Sequence, residues 1–198
     1  GDVYKRQILA HEDAIKEFED NGPQILNRMI GYNRDKADGT RLALPTISFT
    51  DKYVINLGNL VIEALYLGPA HSPGDISVWI PSKKLVIAGD MAFHERLLPI
   101  FSHTNTKEWI DTWDNEFEKL NPIYVIPGHG HPTNMDQVRK YTRNYLVYLR
   151  EKIRTFIENG GELKDAYYVD QTPFSHLQTF NELATRNAGR VYEEMEFE

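Results

Sequence analysis

The sequence predicts a mixed α/β (α+β) domain, and three observations carry that expectation. Leu60 to Leu67, Leu85 to Ala88 and Ile123 to Ile126 are short runs rich in Val and Ile, each stopped by Gly or Pro, as strands are. Stretches with apolar residues at helical spacing flank and interrupt these runs. At 198 residues, with 41% hydrophobic and 12% aromatic content, the chain has enough apolar mass for one packed core.

In chain order, Ile8, Ala14, Ile15, Phe18, Ile25, Leu26, Met29 and Ile30 recur at helical spacing, and Gly22-Pro23 predicts a break into two helical pieces. Asn33 to Thr40 is polar, ends in Asp38-Gly39 and reads as a loop. Leu42 to Phe49, Tyr53 to Leu57 and Leu60 to Leu67 read as strands, with turns at Asp51-Lys52 and Gly58-Asn59. Ile76 to Ile80 and Leu85 to Ala88 flank Pro81-Ser82-Lys83-Lys84, a hairpin turn, and the meander is expected to end at Asp90. Asn105 to Leu120 reads as a helix capped by Asn105 with Glu108 three residues on, carrying Trp109, Trp113, Phe117 and Leu120 on one face. Asn121-Pro122 terminates it. A longer helix from Met135 carries Val138, Tyr141, Tyr145, Leu149, Ile153 and Phe156 and stops at Asn159-Gly160-Gly161, and a last one covers Phe180 to Met195. No internal repeat or low-complexity tract is present.

The net charge of −7, without a Lys/Arg cluster, argues against a nucleic-acid or anionic-membrane surface and for a small-molecule substrate. Zero cysteines exclude disulfides, thiolate metal sites and a Cys nucleophile, so any metal must rest on His, Asp, Glu or water. They do not choose a compartment. No apolar run reaches the roughly 18 residues of a membrane helix, and the chain reads as a soluble globular protein.

Three stations then stand out: Gly68-Pro69-Ala70-His71-Ser72-Pro73-Gly74-Asp75, Ala88-Gly89-Asp90 and Pro127-Gly128-His129-Gly130-His131. Each places a potential metal ligand directly after a strand-like run. His71 lies 19 residues before Asp90, and Asp90 39 before His129, so only a fold that brings three strand ends to one edge could assemble them. Two histidines and one shared carboxylate suit a dinuclear site, in which a carboxylate bridges ions about 3.5–4 Å apart. Strand ends hold such ligands rigidly, and the adjacent glycines allow close backbone approach. Singly, each histidine reads as a surface or hydrogen-bonded residue; jointly and in order they read as a site.

The order strand, Ala-His-Ser-Pro-Gly-Asp, hairpin, Ala-Gly-Asp, helix, strand, Pro-Gly-His-Gly resembles the C-terminal part of the metallo-β-lactamase-fold hydrolases, from Ile8 to Thr133. The resemblance implies a four-layer αββα sandwich with two divalent metal ions at one sheet edge, Zn first, with Fe or Mn as alternatives. It implies that His71 is a ligand of the first ion, Asp90 the bridging carboxylate and His129 a ligand of the second. His131 matches no ligand position. It further implies hydrolysis of an ester, thioester or amide bond by metal-activated water. His94 and Arg96, in Met91-Ala92-Phe93-His94-Glu95-Arg96, fall where such enzymes shape the substrate pocket.

The family's HxHxDH motif, which belongs upstream of these stations, occurs nowhere in the sequence, and His11-Glu12-Asp13 does not substitute for it. Gly1-Asp2-Val3-Tyr4-Lys5-Arg6-Gln7 resembles the translation of a sequencing-adapter scar, the alternative being a genuine polar arm. The expected organisation is therefore a scar at 1–7, the C-terminal part of a metallo-β-lactamase-like domain at 8–134, and a helical C-terminal extension packed on the same domain at 135–198. Such a fragment is expected to hold less than one tightly bound metal equivalent and to be inactive alone. The rival is a metal-free binding or structural protein that keeps the fold and a vestigial site. Asp75 reads as a turn-stabilising group, Asp170 to His176 as a packed connector, and Glu193, Glu194 and Glu196 as a solvated face.

Overall fold

The computed structural model describes residues 7–198, so all but Gln7 of the adapter-like stretch lies outside the described residues. A short parallel pair, β1 (Leu9–His11) with β2 (Ile47–Phe49), accompanies a five-stranded sheet. That sheet runs β3 (Lys52–Leu57), β4 (Leu60–Tyr66), β5 (Ile76–Ile80), β6 (Leu85–Phe93) and β7 (Tyr124–His129), in sequence order. The first four strands are antiparallel neighbours, and β6 and β7 are parallel.

Between β1 and β2 lies α1 (Glu12–Asn33), one helix with Pro23 inside it rather than two pieces. Proline forfeits a single backbone bond, and the eleven helical residues before it and ten after it hold the helix together across the gap. Gly22 is buried there because the Leu42 side chain packs onto it. That contact also explains why the expected strand from Leu42 shortens to Ile47–Phe49: Leu42 serves α1, and Pro45 has no N–H to donate to a ladder. His11, instead of opening the helix, ends β1 and caps α1, its Nδ1 accepting from the Asp13 N–H at 3.2 Å.

The core lies on one face of the large sheet. Val86 and Ala88 of β6 and Val125 of β7 are wholly buried in it, whereas Ile87 between the first two faces the other way and is 40% exposed. The expected helix from Asn105 begins as such, with the Asn105 side chain accepting from Glu108 N–H at 2.9 Å. After α2 (Thr106–Thr112), however, it widens into a π-turn over Trp113–Phe117 and closes with a 3-10 turn over Glu118–Leu120. The wider turn lets Trp109, Trp113 and Phe117 all enter the core, each with no exposed surface.

The second expected helix is also interrupted, into α3 (Met135–Tyr141) and α4 (Arg143–Glu158). The junction residue Thr142 is fully buried; its hydroxyl accepts from Phe93 N–H at 2.8 Å and donates to Phe93 C=O at 3.2 Å. The helices are thereby fastened to the end of β6. After the short α5 (Leu163–Ala166), Gln171 is buried between the Tyr145 hydroxyl and Ala184 C=O, so Asp170 to His176 is a packed connector.

The last helix, α6 (Phe180–Met195), contributes two anchors that its sequence conceals. Buried Asn187 accepts from Ile100 N–H at 2.9 Å and donates to Leu98 C=O at 2.7 Å and to the Tyr145 hydroxyl at 2.9 Å. Glu194 is not part of a solvated face: its carboxylate accepts from the backbone and hydroxyl of Thr106 at the start of α2 and from Arg150 at 2.8 Å. A carboxylate there satisfies amides that the helix leaves open.

Replacing Asn187 by Ala strands three buried partners, and a destabilisation of about 3 kcal/mol is expected from urea unfolding. A change below about 0.5 kcal/mol would show that the tail helix is not held by this side chain.

Candidate metal centre

The first station leaves β4 through a turn that is built tightly. Gly68 adopts φ +129°, and a Cβ there would collide with the Thr112 hydroxyl, which donates to Pro69 C=O at 2.7 Å. Asp75 closes the turn as expected, accepting from Ser72 N–H at 2.7 Å and Ser72 Oγ at 2.6 Å. Thr104 donates to His71 C=O at 2.8 Å. The His71 ring, its side chain 12% exposed, sits among Phe93, Phe101 and Trp109 with centroid distances of 5.9, 5.2 and 5.8 Å. Burial there pulls its pKa below the usual histidine value, with Asp90 and Asp75 opposing the shift, so the neutral imidazole that a metal requires is favoured. Its Nε2 is buried and has no hydrogen-bond partner among the described residues.

The second station sits within β6 and not beyond it, because the strand continues to Phe93. Around Gly89, at φ +58°, the register with β7 is irregular, and the expected end of the meander is in fact this irregularity. A left-handed residue in mid-strand re-aims the side chain that follows it, here Asp90.

The third station ends β7, where His129 pairs with Phe93 across the parallel ladder and stacks on its ring at 5.1 Å. Gly128 is indispensable for space: a Cβ there would collide with Asp90 Oδ1 and the Gly89 backbone. Gly130, at φ +98°, admits the His94 carbonyl in the same way.

The three expected residues converge. Asp90 Oδ2 lies 3.8 Å from His71 Nδ1, and Asp90 Oδ1 lies 3.8 Å from His129 Nε2. Among the described residues no group of three or more His, Cys, Asp or Glu closes around a point that would hold an ion. The donor types are those a divalent ion takes: two imidazoles and one carboxylate with an oxygen toward each, with His71 Nε2 buried and without a partner. The donor number covers part of each coordination sphere, one imidazole and a shared carboxylate against the four ligands of tetrahedral zinc.

Around this triad, Arg96 Nη1 lies 3.1 Å from His129 Nδ1 and Arg96 Nε donates to the Thr179 hydroxyl at 3.3 Å. A guanidinium can only donate, so His129 Nδ1 accepts, and the neutral ring carries its proton on Nε2, toward Asp90. His94, its side chain 15% exposed, lies 5.9 Å from the Tyr141 ring, with Nε2 3.5 Å from Glu95 Oε1. His131 is outside the triad, on the surface, bonded to Glu95 at 2.7 Å. That hydrogen bond holds the Glu95 carboxyl below its usual pKa. Thr179 and Gln178, which pins the Arg96 backbone through a parallel bridge, come from 82 or more residues downstream, and no local spacing signals them.

Over residues 8–131 the sequence matches the Metallo-beta-lactamase superfamily. The chain belongs to that superfamily. A metallo-beta-lactamase type 2 from Bacteroides fragilis is 30% identical over 99 residues, which cover 48% of this chain and 40% of that protein. The human acyl-coenzyme A thioesterase MBLAC2 is 24% identical over 117 residues, 57% of this chain and 42% of its own length. The chain thus spans less than half the length of these curated relatives. Among solved structures, the inverting sec-alkylsulfatase Pisa1 from Pseudomonas sp. superposes with a TM-score of 0.68 at 17% identity, covering 96% of this chain and 36% of that one. At that identity the likeness speaks to the fold, and it extends through the helices that follow β7. The superfamily's mixed sheet-and-helix architecture is the one the sequence predicted, and hydrolases are among its relatives here.

Replacing Gly128 by Ala is expected to displace both the Gly89 backbone of β6 and the Asp90 carboxylate from its place between the two imidazoles. The ring resonances of His71 and His129 should then move together in NMR spectra. If those resonances stay in place, the packing of Gly128 against Asp90 does not set the geometry.

Proposed function

We propose that this chain carries part of the active centre of a metal-dependent hydrolase acting on an ester, thioester or amide bond of a small molecule. The observation that supports the reading most directly is the Asp90 carboxylate lying between His71 and His129 at 3.8 Å from each. In this reading His71 serves one divalent ion, His129 the other, and Asp90 both, with Zn the first choice and Fe or Mn the alternatives. Ions held there supply Lewis acidity, which makes water a nucleophile near neutral pH and polarises the scissile group.

The chain's own residues supply the setting. Buried Phe93 and Trp109 pack against the His71 ring and keep that side of the site away from water, while Asp90 and His129 stay open to a ligand. The Phe93–Thr142 hydrogen bonds hold the end of β6, and so the strand that presents Asp90, against the helices. In this reading Arg96, 3.1 Å from His129 Nδ1, and His94, whose N–H donates to His129 C=O at 2.9 Å, are the residues that meet the substrate.

A second reading has one observation in its favour. Arg96 donates to His129 Nδ1 at 3.1 Å, so that nitrogen is partnered without an ion, as it would be in a metal-free binding or structural protein. Cobalt titration followed by visible absorbance separates the two. The hydrolase reading predicts weak, saturable binding that Asp90→Ala lowers at least about tenfold, while far-UV circular dichroism is unchanged. No saturable binding, or binding unaffected by Asp90→Ala, would favour the metal-free reading.

A further inference from the structure

We propose that Arg150 forms the base of a binding site for a phosphate-bearing small molecule, a site that the Glu198 carboxylate fills in this structure and gives up when the ligand enters. None of His71, Asp90 and His129 lines it, and the inference does not depend on the metal reading.

The Arg150 guanidinium lies between α2, α4 and the residues after α6, its side chain 7% exposed. A cation so buried requires acceptors, and two carboxylates divide it. Glu194 accepts from Nη1 at 2.8 Å, and Glu198 accepts from Nη2 with both of its oxygens, at 2.8 and 2.7 Å. The two are held very differently. Glu194 stands within α6 and also accepts from the N–H and hydroxyl of Thr106 and from Lys107 N–H. Glu198 lies beyond the end of α6 at Met195, and its carboxylate has no donor except Arg150 among the described residues. Its N–H donates to Met195 C=O at 3.3 Å, and Phe197 beside it is 88% exposed and adds no packing. Glu194 is therefore a fixture, and Glu198 is a ligand on a loose tether.

Glu198 lies at a cavity of about 280 Å³, close to the volume of a small-molecule pocket. Lys107 and Arg154 line that cavity together with Arg150, and neither makes an ion pair of its own among the described residues. Arg150 holds the Glu198 carboxyl below its usual pKa, and Lys107 and Arg154 add to the effect, so all three cations act on the place where that carboxylate sits. Asp111 and Glu151 are also in the wall, so three cations face three carboxylates while Glu198 is in place, and a positive charge is left over once it leaves. Both Glu198 oxygens are spent on one nitrogen of Arg150, which leaves Lys107 and Arg154 without a hydrogen bond to it. A phosphate group has a third oxygen and a larger charge, and it can keep the contact at Nη2 while meeting a second cation.

The test is titration of the isotope-labelled chain with sodium phosphate at constant ionic strength, following the Nε–Hε cross-peaks of Arg150 and Arg154. A saturable shift is expected, and the Glu198 amide should move with it as the side chain leaves Arg150. Glu198→Gln removes the internal competitor and should bind phosphate at least about tenfold more tightly than the unchanged chain. Arg154→Gln, added to Glu198→Gln, should weaken that binding about threefold. Sodium acetate, with two oxygens and one charge, should bind at least about tenfold more weakly than phosphate. The amide fingerprint of α4 and α6 verifies that the variants are folded. No saturable shift, or no gain in affinity from Glu198→Gln, would make the Arg150–Glu198 pair purely structural and overturn the proposal. Affinity indifferent to Arg154→Gln would place the anion elsewhere, and acetate binding as tightly as phosphate would overturn the choice of ligand.

Discussion

The direction of β6 relative to β7 is the constraint on which the site depends. Because β4, β5 and β6 alternate in direction, β4 and β6 run the same way, and the parallel pairing of β7 with β6 adds a third strand in that sense. The carboxyl ends of β4, β6 and β7 therefore share one edge of the sheet. His71 follows the first, Asp90 lies near the end of the second, and His129 ends the third. An antiparallel β7 would carry His129 to the opposite edge, a strand length away from Asp90. The crossover that makes parallel pairing possible is the segment containing α2, and its tryptophans are what bury it.

That crossover also builds the dry wall of the site. Trp109 fills the space behind His71 and donates its indole N–H to Met91 C=O at 3.2 Å, next to Asp90 in β6. The start of α2 is in turn held by Glu194 of α6, which also meets buried Arg150 of α4. The helices after β7 are thus tied to the elements around the triad at three places: Thr142 on Phe93, Glu194 on Thr106 and Thr179 on Arg96. Changes in the tail helix should therefore be felt at the site through these contacts, even though none of its residues is part of the triad.

The convergence of His71, Asp90 and His129 was legible in the sequence because each stands beside glycine or proline close after an apolar run, and that local punctuation survives translation into structure. The strands of the large sheet were legible for the same reason. Interruptions were harder to read. Thr142 breaks a continuous helical pattern only because Phe93, 49 residues earlier, offers it two backbone bonds. Pro23 reads as a breaker, yet the helix around it is long enough to survive one missing bond. Glu194 looked like one more surface carboxylate among several, since its partners Thr106 and Arg150 are distant in sequence. The same distance hid Thr179, and with it the fixed geometry of Arg96.

The proposed metal-binding edge shared by β4, β6 and β7, with Asp90 at its middle, is open to a direct test. A crystal of the chain soaked in zinc and measured at the zinc absorption edge tests it most directly. The account predicts an anomalous peak within about 2.0–2.2 Å of an Asp90 carboxylate oxygen and of a ring nitrogen of His71 or His129. A peak located elsewhere, or none while Arg96 remains on His129 Nδ1, would contradict it.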